Sequence, residues 1–526
     1  MHYPSALRFV LFCWFTLASW VYGQADALYR VRINSENPQT LSDYMEKQGF
    51  DVMHGVGPDW VDLVVTLDEW ADVERMGYAT LVMERGRPFN QIQLERSGSG
   101  LTPYPDLAEV EAALNDFATN FPEITKLVDI TTEYGMPATS EGRHLYALKI
   151  SDQVNDDEDE PNLLVVSAHH SREIVTPVIA LHFIDNLTSG YGNNLEITSA
   201  VNNYEIWVAP VWNPDGYNEV FVGDNLWRKN RTVFPTGIGV DTNRNYPFGW
   251  DTACSGSTTV NTQTYKGPGP ASEAETQTMM AFSEARRFAK ILDFHSFGSE
   301  ALYNYACLDL PDEAFWQQEA TAISTAGGYG GAIRRPSADG EHYQWQVARM
   351  GNYGVLIETH TAFQPTYASA LQEAIQLWPT FLYLATQPLG IWGRVTDANT
   401  GLPLQVALES PDAGFMHGET IESGGMFGRY YHFVPPGTYN LTFSKDGYQP
   451  FTTAVTLETG ASFELNVAMQ SLCPVDFDSS GEVSIKDLLA IINAFGQTSG
   501  PQDLNGDNLV DLADLNLALD FWGDCP

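Results

Sequence analysis

The chain has 526 residues, 44% hydrophobic and 12% aromatic, which is more than one compact core and predicts three or four domains. Acidic residues outnumber basic ones 67 to 27, for a formal charge of -40. That sign excludes nucleic acid and anionic membranes as natural partners, and a well-solvated surface accounts for it without any chemical role.

At the N-terminus, MHYPSALR carries one basic residue ahead of the apolar run FVLFCWFTLASWVYG. The pattern predicts a signal peptide over residues 1–23, cleaved around Gly23/Gln24, and hence an exported, extracellular chain. A short membrane anchor is the weaker reading because the run is brief, and no later stretch is long and apolar enough to span a bilayer. Cys13 leaves with the signal, so Cys254, Cys307, Cys473 and Cys525 meet an oxidising compartment, where four cysteines allow three pairings. Cys473 and Cys525 flank one C-terminal segment and are expected to pair. Spacing does not decide whether Cys254 and Cys307 do.

Residues 24–96 alternate short strand patterns (ALYRVRI, DVMHGV, WVDLVVTL) with two amphipathic segments, LSDYMEKQG and LDEWADVERMG. This is a small α+β unit ending in the linker ERSGSG. Residues 97–389 alternate strands (YALKI, NLLVVSA, YEIWVAPV, AKILDFHS) with helical segments. That order predicts a three-layer α/β/α domain on a mixed, largely parallel sheet, with its site at the strand C-terminal ends. The acidic run Asp156 to Glu160 reads as a solvated loop. From 390 to 470, short alternating strands with Gly/Pro turns predict an all-β sandwich holding no cluster of His, Cys or acids, hence a packing or binding role.

Residues 471–526 contain a degenerate repeat. Asp476, Asp478, Ser480, Ser484 and Asp487 fall at loop positions one, three, five, nine and twelve, with the carbonyl of Glu482 at seven. Asp503, Asn505, Asp507, Asp511 and Asp514 repeat the spacing, with Leu509 at seven. Calcium requires oxygen donors so placed, so about two Ca²⁺ ions are expected in a helical calcium-loop module. Gly481 and Asn508 stand where each loop must turn into left-handed backbone.

The chemistry lies in the large domain. In LLVVSAHHSREIVT a buried strand delivers His170 and Glu173 three residues apart, and ILDFHSF places His295 at the end of another strand. Two imidazoles and a carboxylate are donors for one catalytic zinc, which leaves a fourth position for water. Glu358, an acid at the end of the strand in VLIETHT, is the candidate general base. Arg228 would stabilise a developing oxyanion. Asn243 and Arg244 suit bidentate capture of a free chain-terminal carboxylate, with Arg172 assisting between the zinc ligands.

In order, HSRE (170–173), NPDGY (213–217), WRK, DTNRN, YKGPGPASEAE (265–275), DFHS and ETH resemble the zinc carboxypeptidases typified by the pancreatic A and B enzymes and secreted bacterial relatives. The resemblance implies the same roles: zinc on His170, Glu173 and His295, Glu358 as base acting with a zinc-bound water, Arg228 polarising the carbonyl, and Arg172, Asn243 and Arg244 on the substrate. Two departures stand out. Phe297 replaces a usual Tyr, and a mobile loop Tyr has no ungapped counterpart, since counting places Pro336 there, with Tyr329 or Tyr343 the nearest substitutes. The same counting puts the specificity determinant near Tyr343, with Arg334, Arg335 and His342 close by. Basic residues there would favour an acidic terminal side chain.

By the same kind of resemblance, 24–96 is similar to a carboxypeptidase propeptide removed near Arg96, 390–470 to a transthyretin-like domain, and 471–526 to a type I dockerin that docks onto a cohesin-bearing scaffold. The leading expectation is a secreted metallocarboxypeptidase acting on peptides and proteins with a free C-terminus. A peptidase on cell-wall muramyl peptides has the same chemistry and differs by turnover of muropeptides. A non-catalytic scaffold-docked binding protein would lack an ion ligand or Glu358, and neither is missing.

Overall fold

A computed structural model describes residues 27–53, 59–97, 103–478, 480–498 and 500–525. The expected signal segment with Cys13, and the linker from Gly98 onward, lie outside these residues. No helix among the described residues is long and apolar enough to cross a membrane.

The central sheet has eight strands: β1 (Thr125–Asp129), β2 (Tyr146–Ile150), β3 (Asn162–Ser167), β4 (Glu205–Ala209), β5 (Phe288–Ser296), β6 (Glu300–Leu302), β7 (Ile333–Arg334) and β8 (Tyr353–Thr359). Their spatial order is β7-β6-β8-β5-β3-β4-β2-β1. The pairs β3–β4, β3–β5, β5–β8 and β6–β7 are parallel. The remaining neighbours are antiparallel, so the sheet is mixed and mostly parallel. Every residue of β3 and β5 is buried, as expected for strands covered on both faces. On one face lie the helices Val175–Gly190 and Tyr367–Thr386, where Phe183 meets Phe294, Trp378 and Phe381 edge-on. On the other, Phe282 of helix Ala274–Arg286 packs against Trp207, Trp212 and Phe288. The three layers anticipated from the alternation are present.

Residues 29–53 and 59–85 form a separate four-stranded sheet with helices Pro38–Lys47 and Leu67–Arg75. Its edge strand Thr80–Arg85 is mostly exposed and so carries no alternating signal, which is why the pattern did not announce it. This unit sits on the large domain. Leu28 N–H donates to Asp224 (2.9 Å), Arg87 N–H to Asn225 (3.0 Å), and the Thr264 hydroxyl to the Gly49 carbonyl (2.8 Å).

The C-terminal β region contains two four-stranded sheets and packs on the large domain through Phe433, stacked on Tyr353 at 4.1 Å. Arg287 donates to the carbonyls of Glu422 (3.1 Å) and Ser423 (3.2 Å). The acidic run is the solvated loop expected, with Asp156 and Asp157 exposed, and it also takes part in this junction. Asp159 pairs with Arg394 and Arg429, and Asp157 with Arg286 and Lys149. Composition identifies an acidic loop, but the arginines that neutralise it lie far off in sequence.

Gly351 at this junction has φ +65°, and a Cβ there would stand 2.2 Å from the Tyr431 carbonyl oxygen. Gly351→Ala therefore meets a backbone atom, which cannot rotate aside, and adds the left-handed cost of about 1–2 kcal/mol. We expect a lowered thermal unfolding midpoint; an unchanged midpoint would refute this account of the junction.

Both disulfides, Cys254–Cys307 and Cys473–Cys525, are formed. The second closes a module of two short helices, Ile485–Ala494 and Leu512–Leu519, each started by a capping box.

Candidate active site

Parallel strands that end at one edge bring sequence-distant residues into register. His295 of β5 lies beside Glu358 of β8, and Phe294 beside Ser167 of β3. Just past β3, Ala168 adopts φ +54°, and the chain turns out of the sheet. A turn closed by the Glu173 N–H on the His170 carbonyl (3.2 Å) then sets the His170 and Glu173 side chains together.

The result is a buried triad. His170 Nδ1 is 2.8 Å from Glu173 Oε1 and 3.1 Å from His295 Nδ1, and His295 Nδ1 is 3.3 Å from Glu173 Oε2. The opposite ring nitrogens face carboxylates, His170 Nε2 toward Asp241 (3.1 Å) and His295 Nε2 toward Asp293 (3.2 Å). Those outer carboxylates hold the Nε2–H tautomers and so turn both Nδ1 lone pairs inward. Two lone pairs and a carboxylate facing one another in a dry site repel unless a cation lies between them. This N₂O donor set fits zinc. Each ligand atom lies within 4.8 Å of the others.

Asp241 and Asp293 were not singled out from the sequence. Their signal was there: each is an acid in or beside an apolar run, two residues before a site residue. Burial by itself would raise both carboxyls. Arg228 and His170 outweigh it at Asp241, and His169, His295 and His342 at Asp293, so both stay well below the ordinary range. Glu173 is likewise lowered, as His170 and His295 overcome its burial.

Glu358 differs. Burial, with the nearby Glu173 carboxylate, pushes its carboxyl up to about 7, while Arg334 and His295 pull it back. Its Oε2 is buried without a hydrogen-bond partner, and Oε1 is 3.6 Å from Arg334 Nη2. A buried orphan oxygen lining a cleft marks a group kept available for a ligand.

Arg228 is gripped by Asp241, with Nε and Nη2 each at 2.9 Å. Arg244 Nη1 donates to Glu341 (2.9 Å) and to the Asn243 carbonyl (2.8 Å). Arg172 makes a two-pronged pair with Asp51 of the N-terminal unit (2.5 and 2.8 Å) and lies over the Phe363 ring. All of these, with Asn243, line one cleft that Glu46 and Phe50 of the N-terminal unit also enter.

Tyr343 is corrected. It is 2% exposed, its hydroxyl donates to the Asn304 carbonyl (2.6 Å), and it packs behind Leu302 and Leu356, which line the cleft while Tyr343 does not. Counting along the chain assumed an ungapped loop, whereas the helix His342–Met350 begins there and turns this side chain inward. Tyr329 bonds Glu373 and does not line the cleft either.

In the C-terminal module, oxygens of Asp476, Asp478 and Asp487 lie within 4.8 Å of one another. Ser480 donates to the Glu482 carbonyl, and Ser484 caps the following helix. Gly481 and Asn508 have φ +83° and +68°, the left-handed backbone expected of them. In the second loop the carboxylates hold backbone: Asp503 accepts from Gly506, Asp507 and Asn508, and Asp514 from Leu504 and Asn505. Asp511 caps the helix, and Asp507 accepts from Leu509.

Residues 110–372 match the zinc carboxypeptidase family profile, and residues 390–470 the carboxypeptidase regulatory-like domain. The chain is 35% identical over 162 residues to a zinc carboxypeptidase of Saccharothrix mutabilis subsp. capreolus, covering 30% of this chain and 36% of that protein. It is 32% identical over 231 residues to carboxypeptidase B of Astacus astacus, covering 43% of this chain and 71% of that one. The match thus spans from about a third to about seven tenths of these relatives' length. In fold it is similar to carboxypeptidase A of Helicoverpa armigera, with a TM-score of 0.56 at 22% identity over 69% of this chain and 97% of that one.

Proposed function

This chain belongs to the zinc carboxypeptidase family, and we propose that it removes the C-terminal residue of peptides and proteins outside the cell. The observation that carries this is the convergence of His170, Glu173 and His295 beside the unpartnered Glu358 oxygen at one sheet edge. Zinc held by those three residues would supply Lewis acidity toward the scissile carbonyl and make water more acidic. Arg244 and Asn243 would grip the terminal carboxylate, which places the last peptide bond, and no internal one, beside Glu358. Glu358 takes the proton of the attacking water and returns it to the leaving amine. Arg228, held rigid by Asp241, offers its guanidinium to the oxygen that gains charge.

Residues 24–96 would act as a propeptide. Asp51 occupies Arg172, and cleavage near Arg96 would free the cleft. The regulatory-like β domain would brace the catalytic domain. Residues 471–526 would bind calcium and, as a dockerin-like module, attach the enzyme to a cohesin-bearing scaffold. Export through the N-terminal signal completes this reading.

The test is release of the last residue from N-blocked dipeptides by processed protein, with metal analysis alongside. We expect about one zinc per chain, loss of release on chelation, and recovery when zinc returns. Release that survives complete zinc removal would sink the proposal.

A further inference from the structure

The cleft has an end whose chemistry the proposed reaction does not use. Of the basic residues near the specificity loop, packing removes two. His342 is fully buried against Asp293 (2.8 Å), and Arg335 gives its N–H groups to the Tyr305 and Leu308 carbonyls. Arg334, at the end of edge strand β7, remains on the cleft wall. Its Nε donates to Glu300 (2.7 Å) and Nη1 to the Arg335 carbonyl (3.0 Å), which fixes the plane of the guanidinium. Its Nη2 comes no nearer to Glu358 than 3.6 Å, beyond hydrogen-bond reach.

The N-terminal unit places a carboxylate at this end. Glu46, from helix Pro38–Lys47, lines the same cleft; burial raises its carboxyl, and the charges of Arg334 and Arg244 act against that rise. Of the further acids here, Glu300 holds Arg334 and Glu341 holds Arg244, while Glu358 faces Arg334 across 3.6 Å.

Resting on the carboxypeptidase reading, we propose that Arg334 reads the side chain of the residue removed, that preferred substrates end in glutamate or aspartate, and that Glu46 holds this place while residues 24–96 are docked. A carboxylate would complete the donors of a guanidinium already fixed in plane. A lysine or arginine side chain would face a like charge. An aromatic one would strip water from Arg334 and return no hydrogen bond.

The test is kcat/KM of processed, zinc-loaded enzyme on N-blocked dipeptides identical except for a terminal Glu, Asp, Phe, Leu or Lys. We expect Glu or Asp to lead Phe and Lys by at least tenfold. Arg334→Gln should cut the Glu-to-Phe ratio more than tenfold, and Arg334→Lys should restore part of it. A wild-type preference for Phe, Leu or Lys overturns the inference, even without a foldable variant. So does an Arg334→Gln loss that is equal on all peptides, which would mean that the guanidinium acts on Glu358 alone. Cleavage of none of the peptides would instead overturn the carboxypeptidase reading, and this inference with it.

Discussion

Glu358→Gln is expected to lower kcat by about 10³-fold, within the range that a positioned general base contributes. The substitution keeps the shape and removes only the proton acceptor. In the proposed mode Arg244 and Asn243, from a separate loop, bind the substrate, so KM should change little. Zinc content should hold, because His170, Glu173 and His295 are left intact. Stability should hold or rise, since the wild-type carboxyl is buried with one oxygen unpartnered. Steady-state kinetics with thermal unfolding and metal analysis would check this. Activity within tenfold of wild type would remove Glu358 from the chemistry.

The second large effect concerns latency. Asp51 meets Arg172 through both oxygens, with Arg228 Nη1 a further 3.9 Å away, and both arginines are buried. Removing one partner of such a pair leaves the other charge buried alone, at a cost of about 3–5 kcal/mol. Asp51→Asn should therefore loosen residues 24–96 and raise the activity of the uncleaved chain at least tenfold.

The same junction carries a pH dependence. Burial raises Asp224, which accepts the Leu28 N–H, to about 6, and Glu69, near Asp51 and Lys229, to about 7. For a carboxyl whose docked value lies above its free value, the docked form holds the proton more tightly. Its contribution to docking is complete below the ordinary carboxylate range and lost as pH rises through about 6 for Asp224 and about 7 for Glu69. Uncleaved protein, compared with processed enzyme at each pH, should be more active at pH ~8 than at pH ~5. A flat ratio, together with a silent Asp51→Asn, would rule out this latch.

What the sequence by itself determined is which side chains converge. Strand patterning and short spacing predicted that His170, Glu173, His295 and Glu358 meet at one sheet edge. That was readable because a strand sets the direction of its last side chains, and a three-residue spacing in a tight turn sets the rest. Parallel pairing of β3, β5 and β8 then superposes those ends. Tertiary structure alone decided what surrounds them. It chose Asp241 and Asp293 to hold the imidazoles, turned Tyr343 inward, and engaged His342 and Arg335 elsewhere. It also left Arg334 on the cleft wall and tied the acidic run to arginines of the β domain. The physical reason is one of range. A loop has no repeating period to orient its side chains, and whether a charge faces solvent or a partner depends on groups tens to hundreds of residues away.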